Sequence, residues 1–326
     1  MHAIRQHAFG PPETLVYEDV PDPLPGREQV RIAVEAAGVH LVDTAIRRGE
    51  TGGPYAPPDL PMTPGREVSG RVDRVGPGVD EIWLGRRVVA HLGPASGGYA
   101  TLAVASVASL HVVPDGLGPA AAVAMIGTGR TAMGILEVAE ISAKDVVLVT
   151  AAAGGLGTLL VQAARTAGAP VVGLAGGPGK VERVRANGAT AAVDYREPGW
   201  PERVAAALGD RSPTVLLDGV GGDAGRAALE LLAPGGRVVM FGWSSGEMLP
   251  LTTGDLFARG LTAGAAVGPR LLQRPGGLRP LESRALEEAA AGRLVPAVQT
   301  FPLADAAAAH AALEGRATTG KVVLVP

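Results

Sequence analysis

Residues 146–164 read VVLVTAAAGGLGTLLVQAA. The first five are continuously apolar, as expected of a strand buried on both faces of a parallel sheet. A glycine-rich turn follows, and residues 158–167 then carry a helical pattern. In a strand–turn–helix unit of this kind, glycines let backbone N–H groups approach a pyrophosphate with no side chain in the way. The helix N-terminus adds free N–H groups and the positive end of its dipole. Gly154, Gly155, Leu156 and Gly157 are therefore the candidate pyrophosphate cradle, with Gly157 also allowing the helix to pack closely on the strand. Ala152 stands at the first glycine of the G-x-G-x-x-G pattern, which is acceptable if its φ is negative.

Downstream the same grammar repeats. Apolar strands are expected at 170–175, 191–195, 215–220, 237–242 and 261–267, with helices at 181–186, 202–208 and 224–232 between them. Repeated βα units predict an α/β domain with a doubly wound parallel sheet. At the end of the second strand, the window 172–180 (VGLAGGPGK) holds no carboxylate to accept the 2′-OH of an NAD ribose. Lys180 closes that window and Arg183 lies just beyond it, and Tyr195 and Arg196 follow the third strand. Bare backbone and cations suit a 2′-phosphate, so NADPH is the expected cofactor. A lost charge-assisted hydrogen bond costs about 1.5–3 kcal/mol, hence roughly 10- to 100-fold in affinity.

Upstream, residues 1–110 read as β. Short alternating runs at 29–36, 68–75, 87–91 and 99–104 lie between Gly/Pro turns, the pattern of a small barrel or sandwich. The Pro/Gly loop 49–64 interrupts them, and loops of that length in compact domains are usually functional. The tail returns to mixed structure, with helices expected at 282–291 and 304–314 and a strand at 321–325.

Composition narrows the function. The chain has 326 residues and a net charge of -3. No basic surplus exists to neutralise phosphates, which argues against nucleic acid. Cysteine is absent, so disulfides, thiolate nucleophiles and Cys-ligated metals are excluded, and a reducing cytoplasm is the expected compartment. The N-terminus MHAIRQHAFG lacks a signal pattern. The uncharged stretches 91–113 and 146–164 are broken by glycines and proline, so no membrane span is expected. His40, Asp43 and Glu67 offer N and O donors, but Arg66 among them opposes a cation, and no metal is expected.

The opening stretch 1–49, together with GREVSGRVDRVGPGVDEIWLGRRVVAH (65–91), AAAGGLGTLLVQAARTAGA (151–169), FGWSSG (241–246) and FPLADAAAAHAALEGRATTGKVVLV (301–325), resembles the medium-chain dehydrogenase/reductase superfamily. The resemblance spans the chain in order and is nearest to the zinc-free quinone oxidoreductase branch, the zeta-crystallin type. It implies a GroES-like β-rich catalytic domain over 1–121 and 266–326, interrupted by a Rossmann domain over 122–265, usually in a homodimer. Zinc-dependent members have a Cys where His40 stands and a His where Arg66 stands.

The resemblance also implies site residues. His40, where the branch usually has Asn, and Tyr55 in the Pro/Gly loop are the candidates to polarise an acceptor oxygen; each has a structural alternative, His40 as a backbone-bonded histidine and Tyr55 as packing against Pro57 and Pro58. Asp43 and Arg47 are expected to form an ion pair along a helix turn. Cofactor contacts are implied at Thr131, at Gly176, Gly177, Lys180 and Tyr195 near the phosphate, at Val220, at Phe241, Gly242, Trp243 and Ser244, and at Val267 and Arg316. The expected activity is metal-free, NADPH-dependent hydride transfer to a quinone or α,β-unsaturated carbonyl. An enoyl-thioester reductase and a non-catalytic NADPH-binding protein stand as alternatives.

Overall fold

The computed structural model describes residues 1–50, 58–93 and 96–326. The chain divides into two compact units, Met1–Thr128 with Pro296–Pro326, and Gly129–Val295.

In the second unit, six parallel strands form one sheet. Val147–Val149 is central, flanked by Val171–Ala175 and then Ala191–Asp194 on one side. On its other side lie Val215–Asp218, Arg237–Met240 and Thr262–Ala265. In sequence order of these strands the sheet runs 3-2-1-4-5-6, the doubly wound arrangement that reverses beside the first strand. Val147, Leu148 and Val149 are all fully buried. Successive side chains on a strand point to opposite faces, so both faces of the sheet are covered there. The core gathers Leu148, Val172, Leu174, Trp200, Val204, Leu216 and Leu229. Each such side chain contributes about 1.5–3 kcal/mol by leaving water.

This unit reaches Val295 rather than ending at 265. The helix Arg279–Ala290 packs on Arg130–Ala139, and Arg130 Nη1 meets Glu282 Oε1 at 2.9 Å in the interior. That buried pair fastens residues 266–295 to the parallel-sheet unit instead of to the β-rich one.

In the first unit, Gln29–Val39 is the hub of a seven-stranded sheet. It pairs antiparallel with Glu67–Val75, Leu102–Ser106 and the C-terminal strand Lys321–Val325. Val298–Pro302 adds to the last of these in parallel. The sequence pattern at 99–104 is shifted relative to the strand Leu102–Ser106 because Tyr99 belongs to the core. A Cβ on Gly65 would stand 2.2 Å from the Tyr99 ring, so glycine at 65 is what admits it. The helical run Pro119–Ala139 has a mean hydropathy of 1.2 and is 72% buried, which marks it as core.

Candidate functional site

The turn after Val147–Val149 has the geometry that its sequence requires. Helix Gly155–Thr166 begins after Gly154, whose backbone is extended at φ -78°, and no side chain caps it. Its first N–H groups thus lack side-chain acceptors at the positive end of the helix. A Cβ on Gly157 would lie 2.3 Å from the Ala151 carbonyl oxygen and 2.6 Å from Ala152 Cα, so only glycine permits this close approach. On Gly154 a Cβ would meet only the Ala151 carbonyl oxygen, at 3.3 Å, a tighter approach than usual but far looser than at Gly157. Ala152 replaces the first glycine because its neighbour gives way. A Cβ on Gly173 would come within 2.9 Å of the Ala152 methyl. The left-handed residue of the turn is Ala151, at φ 48°.

At the end of the second strand, the Gly177 N–H donates to Asp194 Oδ2 at 2.8 Å. The Arg196 N–H donates to the other oxygen of that carboxylate at 3.0 Å. Asp194 is therefore a strut for the glycine turn. Burial opposes its charge, but these N–H donors and the Arg196 guanidinium outweigh it and hold its carboxyl below the usual range. The Arg196 side chain lies over the turn, since Cβ atoms on Gly176 and Gly177 would meet it at 3.2 and 2.3 Å. Tyr195 and Lys180 are half-buried beside the same strand ends, whereas Arg183 is exposed.

The strand ends that follow are knitted together. Thr150 Oγ1 donates to Asp218 Oδ1 at 2.7 Å and accepts from the Gly219 N–H at 2.9 Å. Asp218 also accepts from the N–H groups of Val220 and Gly221. Burial pushes its carboxyl up, against these hydrogen bonds. The Phe241 ring covers Gly219, where a Cβ would stand 2.3 Å from the ring. Ser244 N–H donates to the Gly219 carbonyl at 3.1 Å. Val220, Phe241, Gly242 and Ser244 are thus held at one end of the sheet, next to the strand that feeds the turn. Trp243 is half exposed there. Val267 follows Ala266, whose N–H donates to the Met240 carbonyl. Thr131 sits in the first turn of Arg130–Ala139. Arg316 belongs to the other unit and lies at a left-handed bend, φ 53°.

In the first unit, His40 precedes the helix Leu41–Arg48, and its N–H donates to Asp43 Oδ2 at 2.8 Å. Its Nε2 lies 2.6 Å from Glu67 Oε1 and 3.0 Å from Lys321 Nζ, which in turn lies 2.9 Å from Glu67 Oε2. The carboxylate is wholly enclosed, whereas His40 retains 24% side-chain exposure. Burial disfavours a charged Glu67, but His40, Lys321 and His91 together hold its carboxyl well below the usual range. Room for it is made by backbone alone: a Cβ on Gly127 would fall 1.5 Å from Oε1, and one on Gly38 2.2 Å from Oε2. Gly127 lies in a π-helical turn, Met125–Gly129, an element frequent at functional sites.

The expected Asp43–Arg47 pair does not form. Asp43 receives Arg66 Nη2 at 2.9 Å, and Arg47 Nη2 reaches Glu314 Oε1 at 2.8 Å. The helix turns Asp43 towards the sheet and Arg47 towards Ala306–Glu314, so each finds its partner outside the helix. Tyr55 lies outside the described residues. Lys321 was not singled out from the sequence as part of this cluster. Its only signal there is that it is one of three lysines in a chain whose other basic residues are all arginine.

Two families match the chain: the alcohol dehydrogenase GroES-like domain over residues 26–115, and zinc-binding dehydrogenases over 155–273. A quinone oxidoreductase of Pseudomonas aeruginosa is 32% identical over 322 residues, covering 98% of each chain. A 2-haloacrylate reductase of Burkholderia sp. is 31% identical over 98% of this chain and 97% of its own. The chain belongs to the medium-chain dehydrogenase/reductase superfamily, in its quinone oxidoreductase branch. Among solved structures, Escherichia coli quinone oxidoreductase complexed with NADPH superposes with a TM-score of 0.85 at 30% identity over the whole of both chains. An NAD-dependent alcohol dehydrogenase gives 0.88 at 31% identity, also over both chains in full.

The zinc in one family's description does not suit these side chains. Zinc takes three or four Cys, His or carboxylate ligands. Here the imidazole and carboxylate nearest each other already hold an ammonium group within hydrogen-bond distance of both. Among the described residues no group of three His, Cys, Asp or Glu is arranged for a metal.

Proposed function

We propose that this quinone oxidoreductase-like reductase uses NADPH to reduce quinones or α,β-unsaturated carbonyls without a metal. The observation that carries the cofactor reading is the uncapped helix start at Gly155 with bare backbone at Gly154. NADPH supplies a hydride when bound; the residues of the second unit bind and orient it. The turn at residues 154–157 takes the pyrophosphate. The Arg196 guanidinium over Gly176 and Gly177, with Lys180 and Tyr195, favours the 2′-phosphate over a free ribose hydroxyl. The E. coli relative was solved with NADPH, which supports that choice over NAD.

His40 is the group of the first unit that donates to the acceptor oxygen as negative charge develops there, since it is part-exposed and backed by a buried carboxylate. Tyr55 is the second donor in this reading. Thr131, Val220, Phe241, Gly242, Trp243, Ser244, Val267 and Arg316 complete the cofactor contacts. The name of the Burkholderia relative supports an activated alkene as acceptor. The test is NADPH oxidation against matched panels of quinones, enones and enoyl-CoA thioesters. Turnover of the first two supports the proposal. Turnover of thioesters alone assigns the enoyl-thioester reaction instead, and NADPH binding with no turnover on any panel points to a non-catalytic role.

A homodimer, formed in a reducing cytoplasm, completes the proposal. The strand Thr262–Ala265 lies at an edge of the parallel sheet and is largely exposed. Phe257 nearby in sequence is 90% exposed and Met248 71%. An open sheet edge and exposed large apolar side chains invite a second copy. Analytical ultracentrifugation at micromolar concentration checks this: a monomer would remove it.

A further inference from the structure

The cluster around His40 contains one residue that no part of the reaction above has used. Lys321 begins the C-terminal strand, is 5% exposed, and places Nζ against both Glu67 and His40. We propose that Lys321 is a positioning residue for the His40–Glu67 pair, competing for the buried carboxylate so that His40 remains able to give up its proton. This inference rests on the reading of His40 as the donor to the acceptor oxygen.

A carboxylate enclosed as Glu67 is, with its imidazole contact at 2.6 Å, binds a protonated imidazole strongly, because few water molecules screen the pair. Alone, it would fix His40 as an imidazolium and make it a poor acid. The ammonium of Lys321, 2.9 Å from the other carboxylate oxygen, supplies the first positive charge. A proton on His40 is then a second one beside the same anion. Donation of that proton relieves the crowding and leaves a neutral imidazole beside the Lys321–Glu67 pair. Among the described residues, the other charged or titratable groups around His40 include Asp43 on the helix that His40 precedes, Arg66 bound to Asp43, and His91 opposite Glu67 on the neighbouring strand. These are unchanged by substitution at 321. Gly127 and Gly38, which bring no side chain, occupy other approaches to the carboxylate.

The experiment follows the His40 imidazole by NMR across pH in the full-length protein without substrate, alongside kcat and KM for NADPH. In Lys321→Met the midpoint of the His40 signal is expected to rise by one unit or more. In the same variant kcat at pH 7 falls at least tenfold with KM for NADPH within twofold, and Lys321→Arg restores both. In Glu67→Gln the midpoint falls. Should Lys321→Met fail to fold, the same comparison is made in the Glu67→Gln background, where the buried anion is gone; adding Lys321→Met there again raises the midpoint. A His40 midpoint that does not respond to removal of Lys321 in either background overturns the inference. The NMR midpoint reports on Lys321 even if His40→Ala proves fully active, so failure of the donor assignment and failure of this inference are read separately.

Discussion

The phenol of Tyr99 is hydrogen-bonded to the imidazole of His310, with 3.2 Å between Oη and Nε2 and the rings nearly perpendicular at 88°. Tyr99 also lies 3.2 Å from Asp43 Oδ2, and Arg47 Nη1 stands 3.4 Å from His310 Nδ1. A continuous polar chain thus runs through the interior of the β-rich unit from Arg66 to Glu314. Burial raises the Tyr99 hydroxyl well above its usual value, with Asp43 adding to it. Burial likewise pushes His310 down to about 4, helped by Arg47 and Arg48 and opposed by Asp43 and Glu314.

That depression makes stability depend on pH in a defined window. The unfolded chain binds a proton at His310 near pH 6.5, whereas the folded chain does so only near pH 4. Stability is therefore complete above pH 6.5 and is lost as pH falls towards 4. The loss amounts to about 3 kcal/mol for this one group. Asp43, held below the usual carboxylate range by His40 and Arg66 despite its burial, adds its own loss at lower pH. Thermal melts from pH 7.5 to 4 are expected to show a Tm that falls steeply in wild type and less steeply in His310→Gln. Parallel curves for the two proteins would remove His310 as the cause.

Gly157 and Gly154 separate packing from binding. In Gly157→Ala the new methyl meets backbone at 2.3 and 2.6 Å, so helix Gly155–Thr166 must move off the sheet. A loss of about 1–3 kcal/mol in stability is expected from such overpacking, read as a lower midpoint in urea. An unchanged midpoint would show that the helix is less closely seated than its glycine indicates.

Arg196→Gln leaves the strut made by Asp194 in place, because that carboxylate is bound by the N–H of residue 196 and not only by its guanidinium. Affinity for NADPH is expected to fall about tenfold or more, the size of one charge-assisted hydrogen bond. Affinity for NADH should stay within twofold. Competition binding of the two coenzymes measures this, and an equal loss for both would contradict the assignment of Arg196 to the 2′-phosphate.

The parallel sheet was legible because its periodicity and its turn chemistry agree: a buried apolar run, then glycines, then a helix, repeated. The strand expected at 99–104 begins at Leu102 instead, since Tyr99 alternates correctly as a strand residue yet serves as a core plug under Gly65. The C-terminal limit of the parallel-sheet unit, at Val295, has no local sequence signal. It depends on the buried Arg130–Glu282 pair, whose members are 152 positions apart. The same holds at His40. The sequence marks the histidine, but Lys321 joins it only because the strands Gln29–Val39 and Lys321–Val325 pair through Val39 and Val322. Asp43 and Arg47 show the converse case, where correct helical spacing was outweighed by partners on other elements.

In the proposed reading the coenzyme phosphates rest against the backbone at residues 154–157. Gly154 has an ordinary φ of -78°, and a Cβ there would press on one atom, the Ala151 carbonyl oxygen at 3.3 Å, a contact relieved by a shift of a few tenths of an ångström, so Gly154→Asp should fold while placing a carboxylate at the proposed pyrophosphate site. Calorimetric titration with NADPH is the direct measurement, with a thermal melt alongside. The expected result is at least a tenfold loss of affinity, about 1.4 kcal/mol, at unchanged Tm. Wild-type affinity in a folded Gly154→Asp protein would contradict the central claim.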